Sequence, residues 1–283
     1  MSSFKNYFQL AKPGIIFGNL ITLTGGFLLA THRQIGFEYI TLFLYVMIGV
    51  ALMIASGCVF NNCYDQDIDS TMERTQKRPL VTGDISLAMA LVYGSILFVL
   101  SCMILYALVN PLTLYIILVG FVVYVVIYTI SKRLTIHATV LGGISGAIPP
   151  VAGYTAVVNG LDYNALGLFL ILFFWQIPHS YAIAMLYKDD YKKVSLPMLP
   201  LVKGVAYTKK IMLVYLVPFV VSCSIPYLLG TADLVSFVVC MFVAIYWLYK
   251  SVVSYKQDDD RAYAKTVFKI SIIVVTVISL CLG

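Results

Sequence analysis

Charge is scarce in this chain. Only 11% of its 283 residues are Asp, Glu, Lys or Arg, against roughly 25% in soluble folds, while 61% are hydrophobic and mean hydropathy is +0.93. That composition excludes a soluble surface. No Lys/Arg-rich block of roughly five to eight residues occurs, so the net charge of +6 is spread over short segments and offers nucleic acid no footing. The six cysteines include no CxxC pair, and five fall in apolar runs where Cys acts as a small apolar filler. The opening "MSSFKNYFQLAKPG" is neither Arg-rich nor followed by an A-x-A site, which argues against a signal or transit peptide.

What is present is a series of long apolar runs. A run of about 18 or more residues with few charges reads as a membrane helix, because about 20 residues cross the ~30 Å hydrocarbon layer. Nine such runs are expected, near 14 to 31, 39 to 62, 86 to 108, 112 to 131, 137 to 157, 165 to 187, 209 to 229, 232 to 249 and 266 to 282. They are continuously apolar rather than alternating, which favours helices over a barrel. With the N-terminus placed inside, every Lys and Arg except Arg33 falls in a cytoplasmic segment. A bias this steep supports nine spans, a cytoplasmic N-terminus and an outer C-terminus.

The outer connections are short, whereas the inner segments 63–85 and 188–208 are long, and long loops carry function more often. Both follow even-numbered spans and begin with acids. Gly pairs in the first and fifth spans ("LTGGFLL", "LGGISGA") suggest an internal four-helix repeat, about 14–131 and 137–249, plus a ninth helix at 266–282, all within one domain covering 1–283. Transporters also use internal repeats, so a transporter or channel stays open as a reading.

In "NNCYDQDID", Asn61, Asp65 and Asp69 recur every four positions and form one stripe if the second span continues helically. An amide and two carboxylates at a helix C-terminus suit a hard cation such as Mg²⁺, which takes one or two carboxylates and completes its shell with water and phosphate oxygens. A solvated acidic loop is the plain alternative. Asp67 and Glu73 fall off the stripe. Arg74, Lys77 and Arg78 in "MERTQKRPL" have the chemistry to hold phosphate oxygens, or serve only as topology signals. The same two readings apply to Tyr128, Lys132 and Arg133 in "YTISKR". The second acid site, "YKDDYKKVSLPMLP", supplies Asp189 and Asp190 with Lys193 in place of further acids. Two acid sites at one depth, flanked by bases, fit a diphosphate held through Mg²⁺ better than a pore.

Together "KPGIIFGNL", "ASGCVFNNCYDQDID", "MERTQKRPL", the Tyr128 and Lys132 pair, "GAIPPVAGY", "WQIPHSYAIA" and "DDYKKVSLPMLP" resemble, in order, the UbiA superfamily of intramembrane prenyltransferases, and within it the haem-directed branch. The resemblance implies an all-α bundle of nine transmembrane helices with a central cavity. It also implies Mg-dependent transfer of a farnesyl group from farnesyl diphosphate to a vinyl group of haem B, with addition of water, in a bacterial inner membrane. The family's metal ligands carry over to Asn61, Asp65 and Asp69, and its Tyr/Lys pair to Tyr128 and Lys132. Asp65, Asp69 and Lys132 are thus the expected catalytic residues. The second motif departs from the DxxxD of quinone-directed relatives, so only Asp189 and Asp190 are proposed there. Prenyl transfer to a quinone precursor is the rival activity. His179, after Pro178, and His137 are candidates to meet haem, and an interior hydrogen-bonded role for His179 is equally open. Membrane lipid surrounds such an enzyme, and a haem-receiving oxidase or haem A synthase would take its product. Pro149 and Pro150 are expected to break or bend the fifth span.

Overall fold

The computed structural model describes residues 4–34, 36–256 and 259–282. Among the described residues nine helices are long and apolar enough to cross a membrane, and we number them as spans: Pro13–Thr31, Phe37–Tyr64, Leu87–Leu108, Pro111–Ser131, Ala138–Val158, Tyr163–Leu186, Val205–Leu228, Leu234–Tyr255 and Asp260–Cys281. Each matches an apolar run of the sequence. The ninth starts earlier than expected because Asp259 caps it, accepting from the backbone of Arg261 and Ala262 at 2.9 and 3.0 Å. Its charged first turns therefore continue the helix beyond the apolar stretch. Side-chain caps also start the third, fourth and sixth spans, at Ser86, Asn110 and Asp162, where an oxygen satisfies N–H groups the helix leaves free.

The second span packs against the third, the sixth against the seventh and ninth, and the eighth against the ninth. The first span meets the fifth backbone to backbone. A Cβ on Gly26 would stand 1.9 Å from the Pro150 carbonyl oxygen, and one on Gly153 would stand 2.1 Å from that of Leu23. Small residues permit this approach, and nothing larger fits.

The fifth span breaks as Pro149 and Pro150 require: it runs Ala138–Gly146, turns at Ala147 and resumes Ile148–Val158 with proline in its first turn. The sixth span continues through Pro178. In the fourth span, Val123–Tyr128 forms a π-helical segment, followed by the short helical turn Thr129–Ser131 that leads to Lys132. Such segments shift the register of the residues after them and recur at functional sites.

On one face of the bundle the segments between the second and third spans and between the sixth and seventh form short helices, Gln66–Thr71, Lys188–Lys193 and Leu199–Val202. A further helix, Phe4–Leu10, precedes the first span. We call this the loop face, and the charged residues gather there.

Candidate functional site

The second span ends at Tyr64, but its hydrogen bonding continues: Asp65 donates its N–H to the Asn61 carbonyl at 3.0 Å, and Asp69 to that of Asp65 at 2.9 Å. The stripe read from the four-residue spacing is therefore real. Asn61, Asp65 and Asp69 are all buried, none more than 4% exposed.

Each of the three has its own cation. Lys12 Nζ donates to Asn61 Oδ1 at 2.8 Å. Lys132 Nζ pairs with Asp65 Oδ2, and Arg78 with Asp69 Oδ2. Arg78 also donates to Asn62 Oδ1 at 3.1 Å, so it spans about two turns of the stripe. The Asn61 amide donates in turn to Thr129 Oγ1 at 3.1 Å, which ties the second span to the end of the π segment. Burial draws the Lys12 ammonium down to about 8 and lowers Lys132, although Asp65 pulls Lys132 the other way.

Tyr128 stacks on Tyr124 with centroids 5.8 Å apart, and its ring lies 5.9 Å from Lys132 Nζ. Arg133 instead grips Asp67 through two bonds of 2.7 Å and sits 4.6 Å over the Tyr64 ring. That bond raises the Arg133 guanidinium and holds the Asp67 carboxyl down to about 2. Asp67, off the stripe, is thus committed to Arg133. A cleft of about 510 Å³ beside it is lined also by Cys63, Tyr64, Gln66, Ser70 and Val81, so it does not contain the paired acids.

The two long segments meet through Asp190. Its carboxylate accepts from the backbone N–H groups of Glu73 and Arg74 at 3.3 and 3.4 Å, and Lys193 pairs with Glu73 at 2.5 Å. Arg74 lies 4.8 Å over the Tyr187 ring. In this arrangement Asp190 clasps the segment that carries Arg74 and Arg78. Asp189 and Lys77 are exposed and have no hydrogen-bond partner among the described residues.

His179 lies away from this cluster, against the ninth span. Its Nδ1 is 2.7 Å from Ser271 Oγ, and its ring stacks on Trp175 at 4.6 Å. The Ser271 hydroxyl gives its only hydrogen to the Phe268 carbonyl at 2.6 Å, so it accepts from His179. With the hydroxyl so placed, the tautomer protonated at Nδ1 fits this contact and leaves the Nε2 lone pair for a ligand. His137 is exposed at the start of the fifth span.

The sequence missed Lys12, Asn62, Thr129 and the π segment. Only "KP" at residues 12 and 13 hints at a special backbone there, and nothing in local spacing points Lys12 at a residue 49 positions away.

Does the donor set suit a divalent cation? Two carboxylates and an amide oxygen share one buried helical stripe, and Asp65 Oδ1 is buried without a hydrogen-bond partner, with Arg133 3.6 Å away. Among the described residues no group of three or more His, Cys, Asp or Glu side chains stands ready for a metal. That rules against an all-protein cage but agrees with a cation that relies on one or two carboxylates and substrate phosphates. The residues fit.

Fold and site together define a polytopic helical membrane protein with a buried cluster of paired acids and bases at one end of its bundle. The UbiA prenyltransferase family model matches residues 19–273. The chain is 78% identical over 280 residues to a protoheme IX farnesyltransferase of Francisella tularensis subsp. holarctica (strain LVS), covering 99% of both chains. It is 44% identical to protoheme IX farnesyltransferase 2 of Pseudomonas putida (strain GB-1), covering 99% of this chain and 95% of that one. Among solved structures, a digeranylgeranylglyceryl phosphate synthase aligns with TM-score 0.80 at 20% identity, covering 100% of this chain and 98% of the other. A UbiA homolog from Archaeoglobus fulgidus bound to GPP and Mg²⁺ aligns with TM-score 0.71 at 19% identity, covering 98% and 99%. These two likenesses concern the fold. The chain belongs to the UbiA prenyltransferase family and is a prenyltransferase.

Proposed function

We propose that this prenyltransferase joins the farnesyl group of farnesyl diphosphate to a vinyl group of haem B, with addition of water, to give haem O. The observation that carries this reading is full-length identity of 78% to a protein named protoheme IX farnesyltransferase. The buried pairing of acids and bases on the loop face supports it.

The residues that would hold Mg²⁺ are Asn61, Asp65 and Asp69, with Asp189 and Asp190 as a second acidic edge. Bound there, Mg²⁺ would neutralise diphosphate charge. Lys132, Arg78 and Arg74 stand beside those ligands to meet charge that develops on the leaving diphosphate, an electrostatic contribution available only if the donors are already in place. Lys77, Arg133, Lys193 and Tyr128 border the same region. As the allylic C–O bond breaks, its electron pair leaves with the diphosphate. The vinyl π electrons then attack the allylic carbon, and water captures the new cation and loses a proton.

No protein nucleophile is needed. Tyr124 and Tyr128 present stacked faces close to Lys132 that suit a passing carbocation. His179, with Nε2 free and its ring fixed by Trp175 and Ser271, is the stronger haem contact; His137 is the weaker, being exposed. The steep Lys/Arg bias toward the loop face supports a cytoplasmic site, in a bacterial inner membrane. A terminal oxidase or haem A synthase would receive the product.

Purified protein incubated with farnesyl diphosphate, Mg²⁺ and either haem B or an aromatic acid separates this reading from prenylation of a quinone precursor. Mass analysis should show a farnesylated, hydrated haem. Product from the aromatic acid alone refutes the haem assignment. Asp65→Asn should abolish turnover with the fold intact.

A further inference from the structure

Three cations face three candidate ligands, and two of them, Lys132 and Arg78, stand in segments whose chemistry already suits diphosphate. The third, Lys12, comes from the start of the first span and has been given no task. Its backbone is the anomaly that draws attention. Lys12 adopts φ 55° and ψ 66°, the left-handed region that side chains other than glycine seldom enter. It does so directly before Pro13, where sterics favour extended backbone. Strain of this kind persists only where the surroundings over-determine it.

The surroundings are visible. Leu10 and Ala11 are buried, and Asn62 Nδ2 donates to the Leu10 carbonyl at 2.9 Å. Residues 10–12 are therefore pinned to Asn61 and Asn62, consecutive residues of the second span. The Lys12 carbonyl then accepts from Ile15 at 2.9 Å and starts the first span. The reversal turns the ammonium inward onto Asn61. A lysine that served only to orient the chain in the membrane would extend its flexible stem to the water interface, with no backbone strain.

The orientation of Asn61 is fixed as well. Thr129 Oγ1 donates to the Tyr124 carbonyl at 2.9 Å, so it accepts from Asn61 Nδ2. Asn61 Oδ1 must then face Lys12. An ammonium has three donors. Asn61 uses one, and the other two have no hydrogen-bond partner among the described residues.

We propose that Lys12 is a diphosphate ligand of this site. It holds Asn61 Oδ1 while the site lacks diphosphate, and gives its N–H groups to a phosphate oxygen once Asn61 turns to the cation. The assignment rests on the reading of Asn61, Asp65 and Asp69 as a metal–diphosphate site, and it adds a cation from the first span.

The test uses the full-length, detergent-solubilised protein, with Mn²⁺ as a paramagnetic stand-in for Mg²⁺ and inorganic pyrophosphate as the probe. Mn²⁺ binding is followed by electron paramagnetic resonance, pyrophosphate binding by calorimetry, and folding by thermal melting. Lys12→Met should weaken pyrophosphate binding about tenfold or more, the scale of one charge-assisted bond. Lys12→Arg should recover most of it. Mn²⁺ affinity without pyrophosphate should be unchanged or tighter in Lys12→Met, because Asn61 Oδ1 has lost a competing donor. Unchanged pyrophosphate affinity in Lys12→Met overturns the proposal. So does joint loss of Mn²⁺ and pyrophosphate binding that Lys12→Gln fully restores, since that would make Lys12 a prop for Asn61 alone. If Lys12→Met fails to fold, Lys12→Gln and Lys12→Arg carry the comparison: weaker binding in the Gln variant supports the proposal, and equal binding overturns it. A wild-type protein that binds no pyrophosphate with Mn²⁺ sinks the site reading itself, an outcome distinct from failure of Lys12 alone.

Discussion

Replacing Lys132 with Met asks whether the buried acid beside it depends on its cation. Asp65 is 3% exposed and Lys132 9%. In Lys132→Met the carboxylate stays in the interior, with Arg133 at 3.6 Å as the remaining cation and Oδ1 already without a hydrogen bond. Removing one partner of a buried pair costs roughly 3–5 kcal/mol, because the charge left behind is uncompensated. Arg133 offsets part of that, so we expect about 2–4 kcal/mol. The double variant Asp65→Asn/Lys132→Met removes both charges and should lie within about 1 kcal/mol of wild type. In melting experiments on metal-free protein in detergent, the single variant should fall by roughly 5–12 °C on the scale of soluble domains, and the double variant should recover most of the loss. Both should lose turnover by about 10²–10³ or more if Lys132 meets the leaving diphosphate as proposed. Equal melting of the two variants would refute the reasoning, because it would trace the damage to lost packing rather than to an orphaned charge.

Gly26→Ala drives a methyl group to 1.9 Å from the Pro150 carbonyl and should destabilise by about 1–3 kcal/mol in melting experiments, whereas Gly18→Ala, with nothing within 4 Å, should be neutral or better. For Asp67, held at about 2 against an ordinary 3.8, the depressed value contributes stability above the ordinary pKa and loses it as pH falls through the folded one. The melting difference between wild type and Asp67→Asn should therefore be present at neutral pH, be worth at most about 1 kcal/mol for so exposed a pair, and close between about pH 4 and 2; a constant difference would refute this. Asp190→Ala frees the Glu73 and Arg74 amides, so hydrogen exchange in residues 72–76 should accelerate even without metal or substrate. Unchanged exchange would mean the clasp does not hold that segment.

The nine spans were legible because lipid imposes one constraint everywhere: a backbone that satisfies itself and about 20 apolar residues to cross. The Asn61, Asp65 and Asp69 stripe was legible because a helix repeats locally, and its hydrogen bonds run on past Tyr64. The break at Pro149 and Pro150 was legible from proline's missing donor. What stayed hidden are pairings between distant positions: Lys12 with Asn61, Asp190 with the Glu73 backbone, His179 with Ser271, which are 49, 117 and 92 residues apart. No local period encodes these. The π segment was hidden for another reason, since "VYVVIY" is as apolar and β-branched as its neighbours. Asp190, grouped with the metal ligands as part of the second acidic motif, is seen in the structure making bonds to backbone.

The fifth span has the lowest hydropathy of the nine, 1.3, and the largest buried share, 67%. Its helix is interrupted where Pro149 and Pro150 withhold two N–H donors. Alone in lipid it would expose carbonyls that have nothing to bond. Its place in the bilayer is granted by company rather than by composition. The seam at Gly26 and Gly153 is therefore more than close packing: the first span supplies a surface against which a poorly qualified span is held in the bilayer.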